Sequence, residues 1–506
     1  MNTYNLDETL LHVQHDKNSL DWTLRNAFEG VQIFGGIGSG KSSGSARTLA
    51  LKYLKAGFGG LVLTVKPDEK DMWAEYCQLA GRTDDLIIIE PGGPYRFNFL
   101  EYITTNGPQG KSITENIVSI IKTVIRAGEE KQGGKDDPFW ESALDMLMFN
   151  VIDLCLLAYG KVTIDDLYNI VQSIPKKEEV ADKKESNEEK EEKVSPYLKA
   201  FRTAEAKVNR QKEEFLEGLT ASQLQELSDD RALADAVLND CISDLRLLNQ
   251  LDDFFPNTYY NLSEKTRSII DFSFSGFLFK LTKEPVYSLL CRGTSNVVPE
   301  DCLDGKIILV NLPVKYYTKV GRDSQVLIKY IWQTAMEKRD VAKNGRPVFL
   351  FCDEAQHFLH EFDAECQATA RSSRIATVYI TQNLPNYYAA MSGKNSEYRV
   401  KSFLGTLATK IFHANADIET NKYASDLIGD AYYVDVSRGT SFGKSFSSSK
   451  NKSIKLEKMV RPETFASLRN GGPKNNFSVA CYIHWQGTSN ESGANHMRIS
   501  FNQNKI

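Results

Sequence analysis

The chain has 506 residues, of which 41% are hydrophobic and 25% charged, with a formal net charge of −5 at pH 7. That balance excludes collagen-like, low-complexity and wholly disordered chains, and the length allows roughly two to four domains. It also excludes a globally basic field for nucleic acid, although a ring-shaped assembly can keep basic surface inside its channel.

Met1–Asn18 carries Asp7, Glu8 and Asp16 and no long apolar core, so no signal peptide is expected. Val31–Phe34 is a short apolar run bounded by glycine, the pattern of a buried strand. Gly35, Gly36, Ile37, Gly38, Ser39, Gly40, Lys41 and Ser42 then fill every position of the G-x-x-x-x-G-K-[ST] phosphate loop. Glycines let the backbone curl so that successive N–H groups face phosphate oxygens. Lys41 supplies a point charge for the β- and γ-phosphates, and the Ser42 hydroxyl suits Mg²⁺. A helix predicted over Ser43–Tyr53 adds its positive dipole end, so Ser43 joins the nucleotide-binding group.

Further strands are predicted at Leu61–Val65, Leu86–Ile89, Ile307–Asn311, Val348–Asp353, Ile375–Thr381, Lys410–His413 and Phe477–Trp485. Continuous Val/Ile/Leu/Phe runs of this kind belong to a parallel sheet covered by helices. Between about 110 and 290 the pattern turns helical, with Ile117–Ala127, Trp140–Tyr159, Ile164–Ser173 and Leu233–Leu251. Phe139–Tyr159 is the most apolar long stretch, but Glu141, Asp145 and Asp153 within it would be costly in a bilayer. It reads as a buried or amphipathic helix, and the chain is expected to carry no membrane anchor of its own. Lys176–Lys193 is almost wholly Lys, Glu and Asp and reads as a polar helix or disordered arm. Gly439–Ser453, rich in Ser, Gly and Lys, reads as a flexible loop that could touch a polynucleotide. The eight cysteines are scattered without a C-x-x-C pair, which argues for a reduced compartment and against a zinc site.

The strand at 348–353 ends in Asp353 and Glu354. An Asp at a strand tip can support the Mg²⁺ shell through Ser42 and water, and an adjacent Glu can polarise the attacking water. Arg371 and Arg374 precede the strand 375–381, and Gln382 follows it. Either arginine could act as an arginine finger, and Gln382 could sense the γ-phosphate or orient water.

In this order the segments resemble the TraG-like coupling ATPases of bacterial conjugation and type IV secretion, within the wider FtsK–HerA group of motor ATPases. The resemblance runs from about residue 25 to the end. It rests on the loop 35–42, Val65-Lys66-Pro67-Asp68-Glu69, Asp353-Glu354-Ala355-Gln356-His357-Phe358, and Arg371 with Gln382 eleven residues on. Further support comes from Lys410-Ile411-Phe412-His413-Ala414-Asn415-Ala416-Asp417, Ile418-Glu419-Thr420 and Arg461-Pro462-Glu463-Thr464-Phe465. It implies an α/β fold: a RecA-like P-loop core with a mostly parallel sheet, formed by 1–110 and 291–506, and an inserted all-α domain at 111–290. It implies ATP and Mg²⁺ as cofactors, a homo-hexameric ring, and DNA or a nucleoprotein in the channel, held without base-specific readout. By position it makes Lys41 and Ser42 ligands of phosphate and Mg²⁺, Asp353 a support of Mg²⁺, Glu354 the water-activating base, Arg371 the trans-acting arginine and Gln382 the sensor. A bacterial cytoplasmic location is expected, with recruitment to the inner membrane through a separate partner. A HerA-like ATPase that gates a nuclease or effector shares the same core. A non-hydrolysing adaptor fits less well, because a scaffold has no need of Glu354.

Overall fold

The computed structural model describes residues 4–15, 18–106, 113–129, 138–175, 194–391, 395–442, 446–487, 489–490 and 493–504. The strands, in chain order, are β1 (Thr9–His15), β2 (Asn18–Thr23), β3 (Val31–Phe34), β4 (Gly59–Leu63), β5 (Leu86–Ile89), β6 (Ile307–Val310), β7 (Val348–Cys352), β8 (Ile375–Thr381), β9 (Thr409–His413), β10 (Asp430–Phe442), β11 (Phe446–Lys458), β12 (Ser478–Trp485) and β13 (His496–Asn502). Every residue of β3, β4, β6, β7, β8 and β9 is buried, as short runs without polar alternation require.

Among the described residues, nine strands form one sheet in the order β13-β12-β9-β3-β8-β7-β4-β6-β5. The ladders β9-β3, β3-β8, β8-β7, β7-β4 and β4-β6 are parallel, and β12 runs antiparallel to β9 and β13. The register pairs Phe34 with Thr381 and Phe412, and Cys352 with Tyr379 and Leu63. The carboxyl ends of five neighbouring strands therefore stand within about two residues of one another. The fold is the RecA-like P-loop architecture with a mostly parallel central sheet.

The chain divides into two compact units. One comprises Met1–Ile88, Ala127–Gly133 and Pro299–Ile506 and holds the sheet; the other comprises Ile89–Arg126 and Gly134–Val298 and is helical. The helical unit is wider than 111–290 because no strand follows β5 until β6, and it takes in the helix Phe99–Asn106. Its helix Pro138–Tyr159 packs on Pro196–Glu217 and Glu264–Leu281. The stretch Glu141–Tyr159 is long and apolar enough, by length and composition, to cross a membrane. Yet Leu147, Met148, Val151, Ile152, Leu154 and Cys155 are buried within the unit. Its carboxylates are held locally, Asp145 by Lys122, Glu141 by Arg126, and Asp153 by the Thr114 hydroxyl.

Two expectations are corrected. The helix foreseen over 233–251 breaks into Arg231–Cys241 and Ser243–Asp253, because Ile242 adopts an extended backbone and caps one helix while starting the next. Of the stretch 439–453, read as a flexible loop, the described residues 439–442 and 446–453 form the distal part of the β10–β11 ribbon. Pairing runs unbroken from Asp430–Lys458 to Phe442–Phe446. Tyr432, Val434, Val436, Ile454 and Leu456 start the alternation that Ser and Lys continue, and period-2 strands tolerate polar residues on both exposed faces. The β1–β2 hairpin was not foreseen at all. The charged stretch 176–193 lies outside the described residues.

Behind β7 the core contains a buried ion pair. Lys329, on the helix Val314–Lys338, donates to both oxygens of Asp363 at 2.7 and 2.6 Å and to the Phe358 carbonyl at 2.7 Å. Both side chains are fully enclosed. Gln333, Tyr379 and the His360 amide complete the carboxylate's shell. Asp363→Leu should leave the ammonium unneutralised and cost about 3–5 kcal/mol, whereas Lys329→Met with Asp363→Leu should cost much less than the two single changes together. Urea unfolding of the four proteins measures this.

Candidate active site

The phosphate loop leaves β3 under tight local control. Gly35 N–H donates to the Thr381 carbonyl at 3.3 Å and Gly36 N–H to the Ala414 carbonyl at 2.8 Å, which tie the loop to β8 and to the segment after β9. Gly38 and Gly40 have φ of +70° and +80°, open to glycine at little cost, and a Cβ at Gly40 would strike Val479 at 2.6 Å. The expected helix begins as a π-turn over Ser42–Ala46, with Ala46 N–H reaching the Lys41 carbonyl at 3.1 Å, and becomes α-helical over Arg47–Lys55. Such single-turn π segments frequently mark functional sites. Ile37 stands at the loop tip, 88% exposed.

The second wall follows β7. Ser42 Oγ donates to Asp353 Oδ2 at 2.8 Å, and Lys41 Nζ lies 3.7 Å from Glu354 Oε1. Glu354 sits in the left-handed region at φ +49°, ψ +50°, and its N–H donates to Asp353 Oδ1 at 2.9 Å. Non-glycine residues persist there only where the surroundings hold them, as at many functional sites. Gln356 Nε2 donates to Glu354 Oε2 at 2.9 Å, and Gln382 Nε2 approaches both carboxylate oxygens at 3.3 and 3.4 Å. Burial works against the charge of Glu354, but the Gln356 amide, the Lys41 ammonium and the Gln382 amide outweigh it and hold its carboxyl below the usual range.

Lys41, Ser42, Asp353, Glu354 and Gln382, far apart in sequence, thus meet at one end of the sheet. Arg371 does not join them. It precedes β8 while Gln382 follows it, and a seven-residue strand spans roughly 23 Å. Its side chain is 59% exposed, 3.6 Å from Glu29. Arg374, also before β8, is half-buried and donates to the Gly345 carbonyl at 2.6 Å.

Several contributors had no assigned role in the sequence. Gln356 is itself held by the Thr381 hydroxyl at 2.9 Å, and Asn415 Nδ2 donates to the Gln382 carbonyl at 2.7 Å. Ser45 Oγ lies 2.7 Å from His413 Nε2. Glu69, which opens the helix Glu69–Leu79 after β4, shares a narrow cavity with Ser42 and Asp353. Glu69, Gln356, His413 and Asn415 lie at or beyond the carboxyl end of a buried strand, in segments that carry the family resemblance.

A magnesium nucleotide suits this chemistry. No cluster of three His, Cys, Asp or Glu side chains able to hold a metal stands among the described residues. Mg²⁺ instead is usually bound by one or two protein groups plus phosphate oxygens and water. Ser42 and Asp353 are such groups, and Glu69 Oε1 is a buried oxygen without a partner at the edge of their cavity.

The family model described as Type IV secretory system Conjugative DNA transfer matches residues 5–471. The chain belongs to this family. Within the conjugative transfer family, one curated relative is the Conjugal transfer protein TraG of Agrobacterium fabrum (strain C58 / ATCC 33970), 30% identical over 125 residues. That match spans 24% of this chain and only 18% of the relative. Among solved structures, the chain is similar to the unbound bacterial conjugative coupling protein TrwB, with a TM-score of 0.57 at 13% identity, over 95% of this chain and 86% of that one. The plasmid coupling protein TrwB in complex with ADP and Mg²⁺ gives a TM-score of 0.56 at 12% identity, over 96% and 88%. These likenesses establish the shared fold.

His413 gives the site a pH signature. Burial pushes its imidazole down from the ordinary 6.5 to about 3, so it is neutral when folded. Its contribution is complete above pH 6.5 and is lost as pH falls toward 3, because the unfolded chain takes up the proton first. Between pH 6 and 4 this side chain should remove about 1.4 kcal/mol of stability per pH unit, a slope that His413→Gln should lack in urea unfolding at successive pH values.

Proposed function

We propose that the chain is an ATP-hydrolysing motor that moves DNA, or a nucleoprotein, through an oligomeric ring in conjugative transfer. The observation that carries this reading is the meeting of Lys41, Ser42, Asp353, Glu354 and Gln382 at the carboxyl ends of β3, β7 and β8, in a chain of the conjugative transfer family. The residues from Gly35 to Ser43 cradle the phosphates, and Lys41 neutralises them. Ser42 and Asp353 hold Mg²⁺, which when bound supplies charge neutralisation at the phosphates. Glu354, kept ionised and aimed by Gln356 and Gln382, accepts the proton of the attacking water. Gln382 contacts both this base and, through its strand tip, the phosphate loop, so it reports the γ-phosphate to β8.

Arg371 completes the site of a neighbouring subunit. Its exposure and its place at the other end of β8 support action in trans within a homo-hexameric ring. DNA contacts fall to surfaces without opposing carboxylates. On one face of the β10–β11 ribbon, Arg438, Lys450 and Lys452 follow one another, exposed and with no acidic residue among them. A cytoplasmic motor of this kind meets the inner membrane through a separate partner.

Glu354→Gln should keep nucleotide affinity and lower ATP turnover by about 100-fold or more, read in a phosphate-release assay; turnover within a fewfold of the parent would sink the assignment of the base. Lys41→Ala and Arg371→Ala should each be inactive alone and regain turnover when mixed, because a mixed interface joins an intact loop to an intact arginine. DNA should stimulate turnover, and joint replacement of Arg438, Lys450 and Lys452 by Ala should weaken DNA binding and flatten its salt dependence by about two to three phosphate contacts. Equal turnover with and without DNA at low and moderate salt would remove the motor reading.

A further inference from the structure

The segment Val65-Lys66-Pro67-Asp68-Glu69 is not absorbed by the catalytic account. It leaves β4, the strand next to β7, and ends in a carboxylate that folds back on its own loop. Glu69 Oε2 accepts the Val65 N–H at 2.7 Å and the Lys66 N–H at 3.3 Å. The residue is only 5% exposed, and Oε1 is buried without a partner. A loop-capping role accounts for Oε2 and leaves Oε1 unexplained, since a buried carboxylate oxygen with no donor is costly. The cavity that Glu69 lines is also lined by Ser42 and Asp353.

We propose that Glu69 is a positioning residue of the magnesium site, with Oε1 accepting a hydrogen bond from the hydration shell of the cation that Ser42 and Asp353 hold. The proposal rests on the nucleotide reading above. Two acids facing one cavity repel each other, and a hydrated divalent cation relieves that repulsion while supplying the missing donor. Because Oε2 grips the backbone after β4, Glu69 also ties this loop to the occupancy of the metal.

Glu69→Gln keeps an acceptor for Val65 and Lys66 and removes the charge. The affinity of the full chain for a fluorescent ADP, measured in EDTA and across a Mg²⁺ titration, separates the two roles. ADP affinity in EDTA should stay within twofold of the parent, while the Mg²⁺ needed for half-saturation should rise about tenfold or more. An unchanged Mg²⁺ requirement overturns the proposal, whereas failure of the unmodified protein to bind ADP at all overturns the nucleotide reading and this proposal with it. A crystal structure of the unmodified protein with ADP and Mg²⁺ decides independently of how the variant folds. A water bridging Glu69 Oε1 and the cation supports the proposal; an Oε1 that contacts neither overturns it.

Discussion

Five parallel ladders in strict register are the constraint on which the site depends. β3, β8 and β7 are neighbours, and strands in a sheet lie about 4.8 Å apart, so loops leaving the same end fall within roughly 10 Å of one another. Pairing Phe34 with Thr381 and Cys352 with Tyr379 brings Gly35 level with Gln382 and Asp353 to within two residues of that level. A slip of one residue in either ladder would turn every strand-end side chain to the wrong face. Ser42 and Asp353 meet across 311 positions of sequence because this register holds, not because either residue seeks the other.

The site is then stiffened from behind. The Lys329–Asp363 pair grips the Phe358 carbonyl and the His360 amide, and so anchors the turn that follows Glu354. Glu354 can occupy a strained backbone conformation because Asp353, Gln356 and Gln382 each hold it. Gln356 is fixed in turn by Thr381, at the end of β8. Glu354 and Gln382 are therefore linked directly, and Gln356 joins Glu354 to the end of β8 through Thr381. These partners surround a carboxylate that burial alone would favour in its neutral form.

The opposite end of β8 carries a different chemistry. Arg371 sits beyond reach of its own phosphate loop, exposed and 3.6 Å from Glu29, while Arg374 is committed to the Gly345 carbonyl. This asymmetry within one strand separates the two arginines in a way that composition cannot. Gln382 and Arg371 thus flank one strand at its opposite ends.

The phosphate loop, the Asp353-Glu354 strand end and the buried strands were legible in the sequence because each is a local pattern: glycine spacing, a run of apolar residues, a charge at a boundary. The β10–β11 ribbon was not, since an exposed Ser/Lys-rich segment has the composition of a loop and only cross-strand pairing identifies it. The break at Ile242 was hidden for a related reason, as apolar residues continue at helical spacing through a single extended backbone position. Glu69, Gln356, His413 and Asn415 stand in the segments that carry the resemblance, but their individual contacts were not legible because they are set by neighbours distant in the chain. The sequence by itself determined the class of chemistry, since phosphate cradling needs particular residues at particular spacings. Only the tertiary structure decided which carboxylates and amides face that cradle, and that Arg371 does not, because strand order and register exist between segments and never within one.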